Sequence, residues 1–335
     1  MTVKITILGL GQIGASIGFA LANHKDQVTT LGHDILPEIA RKAQKLGAVE
    51  KIEYNLLASI QGADVVILAL PLDQIYETLK FIAEDLREEA VVLDTAPVKT
   101  VVAAWVKELL PPRRHYVGLT PALNPLVLEE GGKGLDAARA DLFHKGLVAV
   151  TAPAGTIDEA LKLAADFVTL LGAQPYFVDL TEVDGIMAAA HLLPGLAAAA
   201  LVETITSQPG WADIRKLAGK AYAVSTRALD AEEPAALAEA ALQNRVNTVR
   251  MLDGYIANLK SLRGEIAGQE KKSLHTRLDQ VCRDSELWRR ERAEGNWQSV
   301  ELGGQEMPKA SDIWKQQVGG LGKLFERRGK KSDEG

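Results

Sequence analysis

Residues 3–18 read Val-Lys-Ile-Thr-Ile-Leu-Gly-Leu-Gly-Gln-Ile-Gly-Ala-Ser-Ile-Gly, "VKITILGLGQIGASIG", and this stretch decides the fold. An apolar run of strand length enters a Gly-x-Gly-x-x-Gly turn, and helical spacing begins at once. Each glycine has its own reason. Gly9 permits the tight turn, Gly11 lets backbone approach a pyrophosphate, and Gly14 lets helix and strand pack closely, with Gln12 and Ile13 opening the helix between them. A helix N-terminus placed there presents unpaired N–H groups and a positive dipole end to phosphate. The next strand pattern ends in "LGHDILPE", and Asp34 stands where a carboxylate accepts the ribose hydroxyls of NAD and repels the extra phosphate of NADP. NAD is therefore expected rather than NADP.

Working outward, the first half alternates short, branched apolar runs with helical spacing. Strands are expected at Val3–Leu8, Val28–Leu31, Val65–Leu70, Ala90–Leu93, Tyr116–Gly118, Leu147–Thr151 and Gln174–Val178. Helices are expected at Ile13–His24, Glu38–Leu46, Leu72–Leu86, Val98–Leu110 and Asp158–Leu171. Strand and helix in alternation predict an α/β fold of the Rossmann type, a doubly wound parallel sheet covered on both faces. Ligands of such sheets sit outside the carboxyl ends of the strands, so Leu70 and Pro71, and Thr95 after Asp94, are candidates to line the cofactor.

Composition changes near Thr181. From there to about Arg292 Ala, Leu, Glu, Gln and Arg dominate with helical spacing, which predicts an all-helical second unit. The expected division is a nucleotide-binding unit over 1–180, a helical unit over 181–292 that binds substrate and dimerises, and a loosely structured tail over 293–335. A short amphipathic helix around Ile313–Phe325 is the one element expected in that tail. The apolar run Ile186–Val202, broken by His191, Pro194 and Gly195, reads as a core helix and not as a membrane span.

The 335 residues are 47% hydrophobic and 24% charged, an ordinary globular balance. With 44 acidic against 38 basic residues the net charge is −6, which argues against nucleic acid or an anionic membrane as partner and for a small molecule. A single cysteine, Cys282, allows no intrachain disulfide and lacks the companions of a zinc site, so no metal and a reducing, cytoplasmic setting are expected. No secretory signal is expected, since Met1 runs straight into an apolar strand pattern.

One segment resists this reading. "HYVGLTPALNP", residues 115–125, comes where a nucleotide-binding half hands its cofactor to a substrate, yet from Val117 to Leu128 no side chain titrates near neutral pH.

Over roughly Thr2 to Arg290 the chain resembles the prephenate dehydrogenase family, homodimeric enzymes of tyrosine biosynthesis that oxidatively decarboxylate prephenate or arogenate with NAD or NADP. The resemblance rests on the glycine fingerprint, on "ADVVILALPLDQIYETL", on "VVLDTAPVKTVV" beside the family's Asp-Val-Gly-Ser-Val-Lys, on "ADLFHKGLVAVTAP", and on "QNRVNTVRMLDGYIANLKSLR", in that order. It implies a helical second half that dimerises and a small carboxylate as substrate. Thr226-Arg227 in "AYAVSTRAL" matches the family's Thr-Arg pair, which makes Arg227 the candidate clamp on that carboxylate. Lys99 and Asn244-Arg245 match as well. Lys99 is carried with Arg227 as a substrate-binding candidate, and all three are expected chiefly to hold the junction of the two halves.

The departures lie where the chemistry is. Thr120 stands in place of the family's histidine, which takes the substrate hydroxyl proton, and Pro97 in place of the serine that helps hold it. The helix segment Ser-His-Leu-Pro-His becomes His191-Leu-Leu-Pro194-Gly195, with His191 about one helical turn before the proline. Threonine donates or accepts a hydrogen bond but is no base near neutral pH. Thr120 as a relay and His191 as an acceptor are the catalytic candidates. Three readings stay open: a prephenate dehydrogenase-like enzyme, a related reductase with another carboxylate substrate, and a catalytically silent NAD-binding protein.

Overall fold

The chain is described here from a computed structural model covering residues 2–128, 130–230 and 233–295. Eight strands form one sheet: β1 Val3–Leu8, β2 Val28–His33, β3 Lys51–Ile52, β4 Val65–Leu68, β5 Val91–Asp94, β6 His115–Ala122, β7 Leu147–Thr151 and β8 Gln174–Phe177. Their order is β3-β2-β1-β4-β5-β6-β7-β8. The order reverses between β1 and β4, and at such a switch point the connections leave the sheet on opposite faces and open a crevice above the carboxyl ends.

Helices α1 Gln12–Leu21, α2 Pro37–Leu46, α3 Leu56–Ile60, α4 Leu72–Ile82, α5 Lys99–Leu109 and α6 Asp158–Leu170 cover the sheet. Two cores result. One lies under α1, α2 and α6 and includes Ile7, Leu10, Ile17, Val117, Leu119 and Phe167. The other lies under α4 and α5 and includes Leu68, Ile75, Leu79, Val102 and Tyr116. Strands buried on both faces are why the sequence shows continuous apolar runs instead of alternation.

The sequence expectations fail at identifiable places. The two-residue strand β3 and the five-residue α3 are too short to show a period, although Asn55 caps α3 by accepting from Ala58 N at 2.9 Å. The sheet is not wholly parallel, since β7 runs antiparallel to β6. The chain joins these two strands through an excursion over residues 123–146 and not through a crossover helix, so no parallel return is imposed. Nor does β6 end at Gly118 as expected. It continues to Ala122, so Thr120 and Pro121 are strand residues.

The second half is helical: α7 Leu180–Met187, a π-helical turn Ala188–Leu192, α8 Leu193–Thr206, α9 Trp211–Leu217, α10 Lys220–Thr226, a 3-10 turn Arg227–Leu229, α11 Pro234–Gln243, α12 Arg245–Ala267 and α13 Lys271–Glu294. It joins the core under α4 and α5 through Leu192, Leu237 and Ala240. The π turn has a cause in the sequence. Pro194 supplies no N–H and crowds the carbonyl four residues back, and a helix carrying proline relieves this by widening one turn.

The run Leu180–Thr206 is long and apolar enough to cross a membrane by length and composition, and only 22% of its most apolar window is buried. The core helix expected at Ile186–Val202 is thus covered on one side only, because among the described residues nothing is placed over the other. α13 reaches Glu294, two residues into the expected tail. The rest of that tail, with the helix expected around Ile313–Phe325, lies outside the described residues.

Candidate active site

The glycine turn has the geometry its sequence requires. Gly9 adopts φ +88°, a left-handed conformation, and a Cβ there would lie 2.4 Å from the carbonyl oxygen of Ala69. At Gly14 a Cβ would lie 1.9 Å from the carbonyl oxygen of Gly9, so helix α1 can approach the turn only without a side chain. A Cβ on Gly11 would meet nothing within 4 Å. That glycine faces open space at the start of α1, where no side chain caps the helix and no acidic residue occupies the first turn. The first intrahelical bond runs from Ala15 N to Gly11 O at 3.0 Å, and the N–H groups ahead of it, on Gln12, Ile13 and Gly14, have no carbonyl one turn back. These features fit a bound phosphate diester.

Asp34 belongs to the same turn. Its Oδ2 accepts from Leu10 N at 2.8 Å and its Oδ1 from Leu36 N at 2.9 Å, which fixes the carboxylate at the carboxyl end of β2 with lone pairs to spare. Leu70 packs beside Gly9, with its Cδ2 3.0 Å from the position a Cβ would take. Pro71 begins α4, and Thr95 N donates to Leu68 O at 3.1 Å. Leu70, Pro71 and Thr95 all follow the carboxyl ends of β4 and β5, the first and second strands beyond β1 on that side of the sheet.

Thr120 is placed by strand register. β5 ends opposite Gly118, while β6 runs on against β7 with Thr120 opposite Ala149. Thr120 therefore projects beyond the carboxyl end of β5, beside the turn that carries Thr95, Ala96 and Pro97. Alternation along β6 puts Thr120 on the face of Tyr116, the face on which the helical half packs. It is 6% exposed, and its hydroxyl has no hydrogen-bond partner among the described residues.

Beneath it lies a buried polar network. Lys99 is fully buried, and its Nζ donates to Asp94 Oδ1 at 2.7 Å and to the Asp94 carbonyl at 3.2 Å. Tyr116 donates its hydroxyl to Asp94 Oδ2 at 2.6 Å. Gly118 makes room for this arrangement, since a Cβ there would lie 2.8 Å from Lys99 Cδ. Burial pushes the Lys99 ammonium pKa down, against the pull of Asp94 and Asp184. Burial, with the Asp94 charge behind it, pushes the Tyr116 hydroxyl well above the ordinary tyrosine value. Lys99 thus spends its charge inside the wall and offers no surface to a substrate, contrary to its candidacy as a substrate contact. Tyr116 and Asp184 had no signal in the sequence, because their partners lie on other elements.

The candidates of the second half sit apart from the glycine turn. His191 is half-buried in the π turn, next to Leu192 of the shared core. Arg227 is exposed in the 3-10 turn that follows α10. Asn244 is buried and donates to the Asp184 carbonyl at 2.7 Å, at the junction of the halves. No group of histidine, cysteine and carboxylate side chains suited to a metal occurs among the described residues.

Comparison with known proteins agrees with this geometry. A model described as the prephenate dehydrogenase nucleotide-binding domain matches residues 17–177, and one described as the prephenate dehydrogenase dimerization domain matches residues 181–280. The chain belongs to the prephenate dehydrogenase family. A cyclohexadienyl dehydrogenase of Zymomonas mobilis is 27% identical over 274 residues, covering 81% of this chain and 91% of the relative. The prephenate dehydrogenase of Bacillus subtilis is 25% identical, over 82% of this chain and 73% of its own length. Among solved structures, prephenate dehydrogenase from A. aeolicus in complex with hydroxyphenyl propionate and NAD+ superposes with a TM-score of 0.74 at 24% identity, over 86% of this chain and 98% of that one. Synechocystis arogenate dehydrogenase gives 0.66 at 24% identity, over 85% and 100%. The fold is that of these dehydrogenases, and membership makes the chain an oxidoreductase of the NAD-binding kind.

Proposed function

We propose that this family member catalyses the NAD-dependent oxidative decarboxylation of prephenate or arogenate, as a cytoplasmic homodimer serving tyrosine biosynthesis. The observation that carries the proposal is the glycine turn with Asp34 hydrogen-bonded to its backbone, in a chain that matches the family through both halves. The proposal keeps a nucleotide-binding unit over residues 1–180 and a substrate and dimerisation unit over 181–292.

Gly9, Gly11 and Gly14, with the N–H groups of Gln12 and Ile13, would hold the pyrophosphate. Asp34 would hold the ribose and disfavour a 2′-phosphate, and Leu70, Pro71 and Thr95 would line the nicotinamide half. When bound, NAD supplies the hydride acceptor. Arg227 fits the substrate carboxylate by its fork of donors. Proton removal falls to His191 directly or through the Thr120 hydroxyl, which has no partner among the described residues and is therefore available to one from outside. A general base contributes about a hundredfold to ten-thousandfold, so the absence of the family histidine slows a reaction drawn forward by aromatisation without forbidding it.

The test is NADH formation by the purified protein with NAD and either prephenate or arogenate. Lack of turnover with both substrates and both cofactors removes the proposal. The second reading, a related reductase acting on another carboxylate, is favoured by the joint replacement at Pro97 and Thr120, and a screen of carboxylate substrates would find it. Quenching of the five tryptophans by NADH without turnover of anything would leave the silent binding protein.

A further inference from the structure

Helix α5 starts without a cap of its own. Its N-cap residue Val98 has extended backbone, and no local side chain accepts from the first turn. The acceptor comes from the other half of the chain. Asp184 on α7 takes Lys99 N at 2.6 Å on Oδ1 and Thr100 N at 3.1 Å on Oδ2. Asp184 is 4% exposed, and its own carbonyl is held by Asn244 Nδ2 at 2.7 Å at the start of α12. One buried residue therefore ties α7 and α12 to the start of α5.

What lies ahead of that start matters. Residues 94–98 lead from the carboxyl end of β5 past Thr95 and Pro97 into α5. The segment is anchored at its near end by Asp94, which receives Ala96 N at 2.8 Å, Lys99 Nζ and the Tyr116 hydroxyl. Its far end is anchored by Asp184. We infer that Asp184 is a positioning residue for the reaction, a pin that fixes the helical half, with His191 and Arg227, relative to the turn beside Thr120. A cap alone needs no particular acceptor, since threonine at the N-cap position serves as well. A cap supplied across a domain junction also sets distance and angle between the halves, and a displacement of about 1 Å in a bound reactant costs on the order of a hundredfold in rate.

The inference rests on the dehydrogenase reading for its kinetic arm, and a second arm is independent of it. The variants are Asp184→Asn, Val98→Thr, and the two combined, where Val98→Thr gives α5 a local cap. In Asp184→Asn, kcat/KM is expected to fall on the order of tenfold to a hundredfold, mainly through KM for the carboxylate substrate, while NADH affinity by tryptophan quenching holds. In the combined variant the thermal midpoint should recover toward that of Val98→Thr while the kinetic loss persists. Its amides from Asn244 to Thr248 should exchange with deuterium faster than in the unmodified chain. Recovery of both midpoint and kcat/KM by the added cap would reduce Asp184 to a helix cap and overturn the inference, as would unchanged kinetics in Asp184→Asn. If Asp184→Asn does not fold, the combined variant carries the test. If the unmodified protein turns over neither substrate, the dehydrogenase reading falls, and unaltered exchange from Asn244 to Thr248 would by itself overturn the pin.

Discussion

The two halves of this protein meet solvent in opposite ways. The sheet half folds most of its apolar residues into two cores, and its strands β4 and β5 are buried along their whole length. In the helical half α12 buries only Thr248 of its 23 residues, while its Val246, Val249, Ile256, Leu259 and Ile266, with Leu242 of α11, stand exposed. A contiguous apolar surface of this kind marks an interface. The sheet half is largely closed by its own chain, and on the proposed reading a second copy covers the helical half, which matches a dimerization domain. The largest predicted effect follows. Leu242 and Val246 are 69% and 77% exposed, so Leu242→Asp with Val246→Asp should weaken self-association at least about a hundredfold. Sedimentation would show a monomer that still binds NADH. An unchanged dimer would mean that the chain pairs through another surface.

The second prediction probes the closed half at its tightest point. Gly14→Ala forces a Cβ against the Gly9 carbonyl oxygen and should cost roughly 1–3 kcal/mol of stability together with NADH binding. Gly11→Ala has free space and an allowed backbone at φ −73°, so its thermal midpoint should hold while NADH affinity falls, because the new methyl occupies the approach of the pyrophosphate. Wild-type NADH affinity in Gly11→Ala would show that the phosphates lie elsewhere.

The same contrast explains what the sequence made legible. Every element longer than five residues in the sheet half was readable, because strand burial and helix spacing are local patterns, and Gly9, Gly14 and Asp34 owe their identities to neighbours a few residues or one strand away. The antiparallel β7 was not readable, since direction is set by how the excursion over residues 123–146 closes and not by the apolar run itself. Asp184 was invisible for a similar reason: its partners, Lys99 N and Thr100 N, are backbone groups 85 and 84 residues distant. Lys99 could be carried as a substrate contact as well as a junction residue because its pairing with Asp94 shows only in the fold. The run Ile186–Val202, which includes most of α8, was read as core because composition cannot say whether the covering surface belongs to the same chain.

Thr120 gives a third prediction, on the line where the halves meet. Its hydroxyl is buried without a partner among the described residues, so Thr120→Val should leave stability unchanged or slightly raised, while removing any relay and lowering kcat. Thr120→His restores the residue type that the family resemblance puts there. The larger ring should cost roughly 1–3 kcal/mol by overpacking, yet raise kcat by at least about tenfold out of the hundredfold to ten-thousandfold that a base supplies. A kcat that stays flat in both variants would take Thr120 out of the reaction and favour a substrate bound by other groups.

The smallest effect belongs to the far end of the closed half, where β6 begins. Glu89 Oε2 pairs with His115 Nε2 at 2.9 Å and Oε1 with Arg113 Nη2 at 2.8 Å. The hydrogen bond with His115, ahead of that with Arg113, holds the Glu89 carboxyl below its ordinary value of 4.5. The sign is fixed by that direction. The folded state binds the proton less readily than the unfolded chain, so the pair's contribution is complete above 4.5 and is lost as pH falls below it through the depressed value. Glu89 is substantially exposed, and solvent screening limits the contribution to well under about 1 kcal/mol. Glu89→Gln should lower the thermal midpoint slightly at neutral pH and flatten its acid limb. Glu89 lies at the opposite end of the sheet from the glycine turn, so NADH affinity should stay the same at every pH where both proteins are folded. A shift in NADH affinity would show that the two ends of the sheet are coupled, and that the closed half is less rigid than its packing implies.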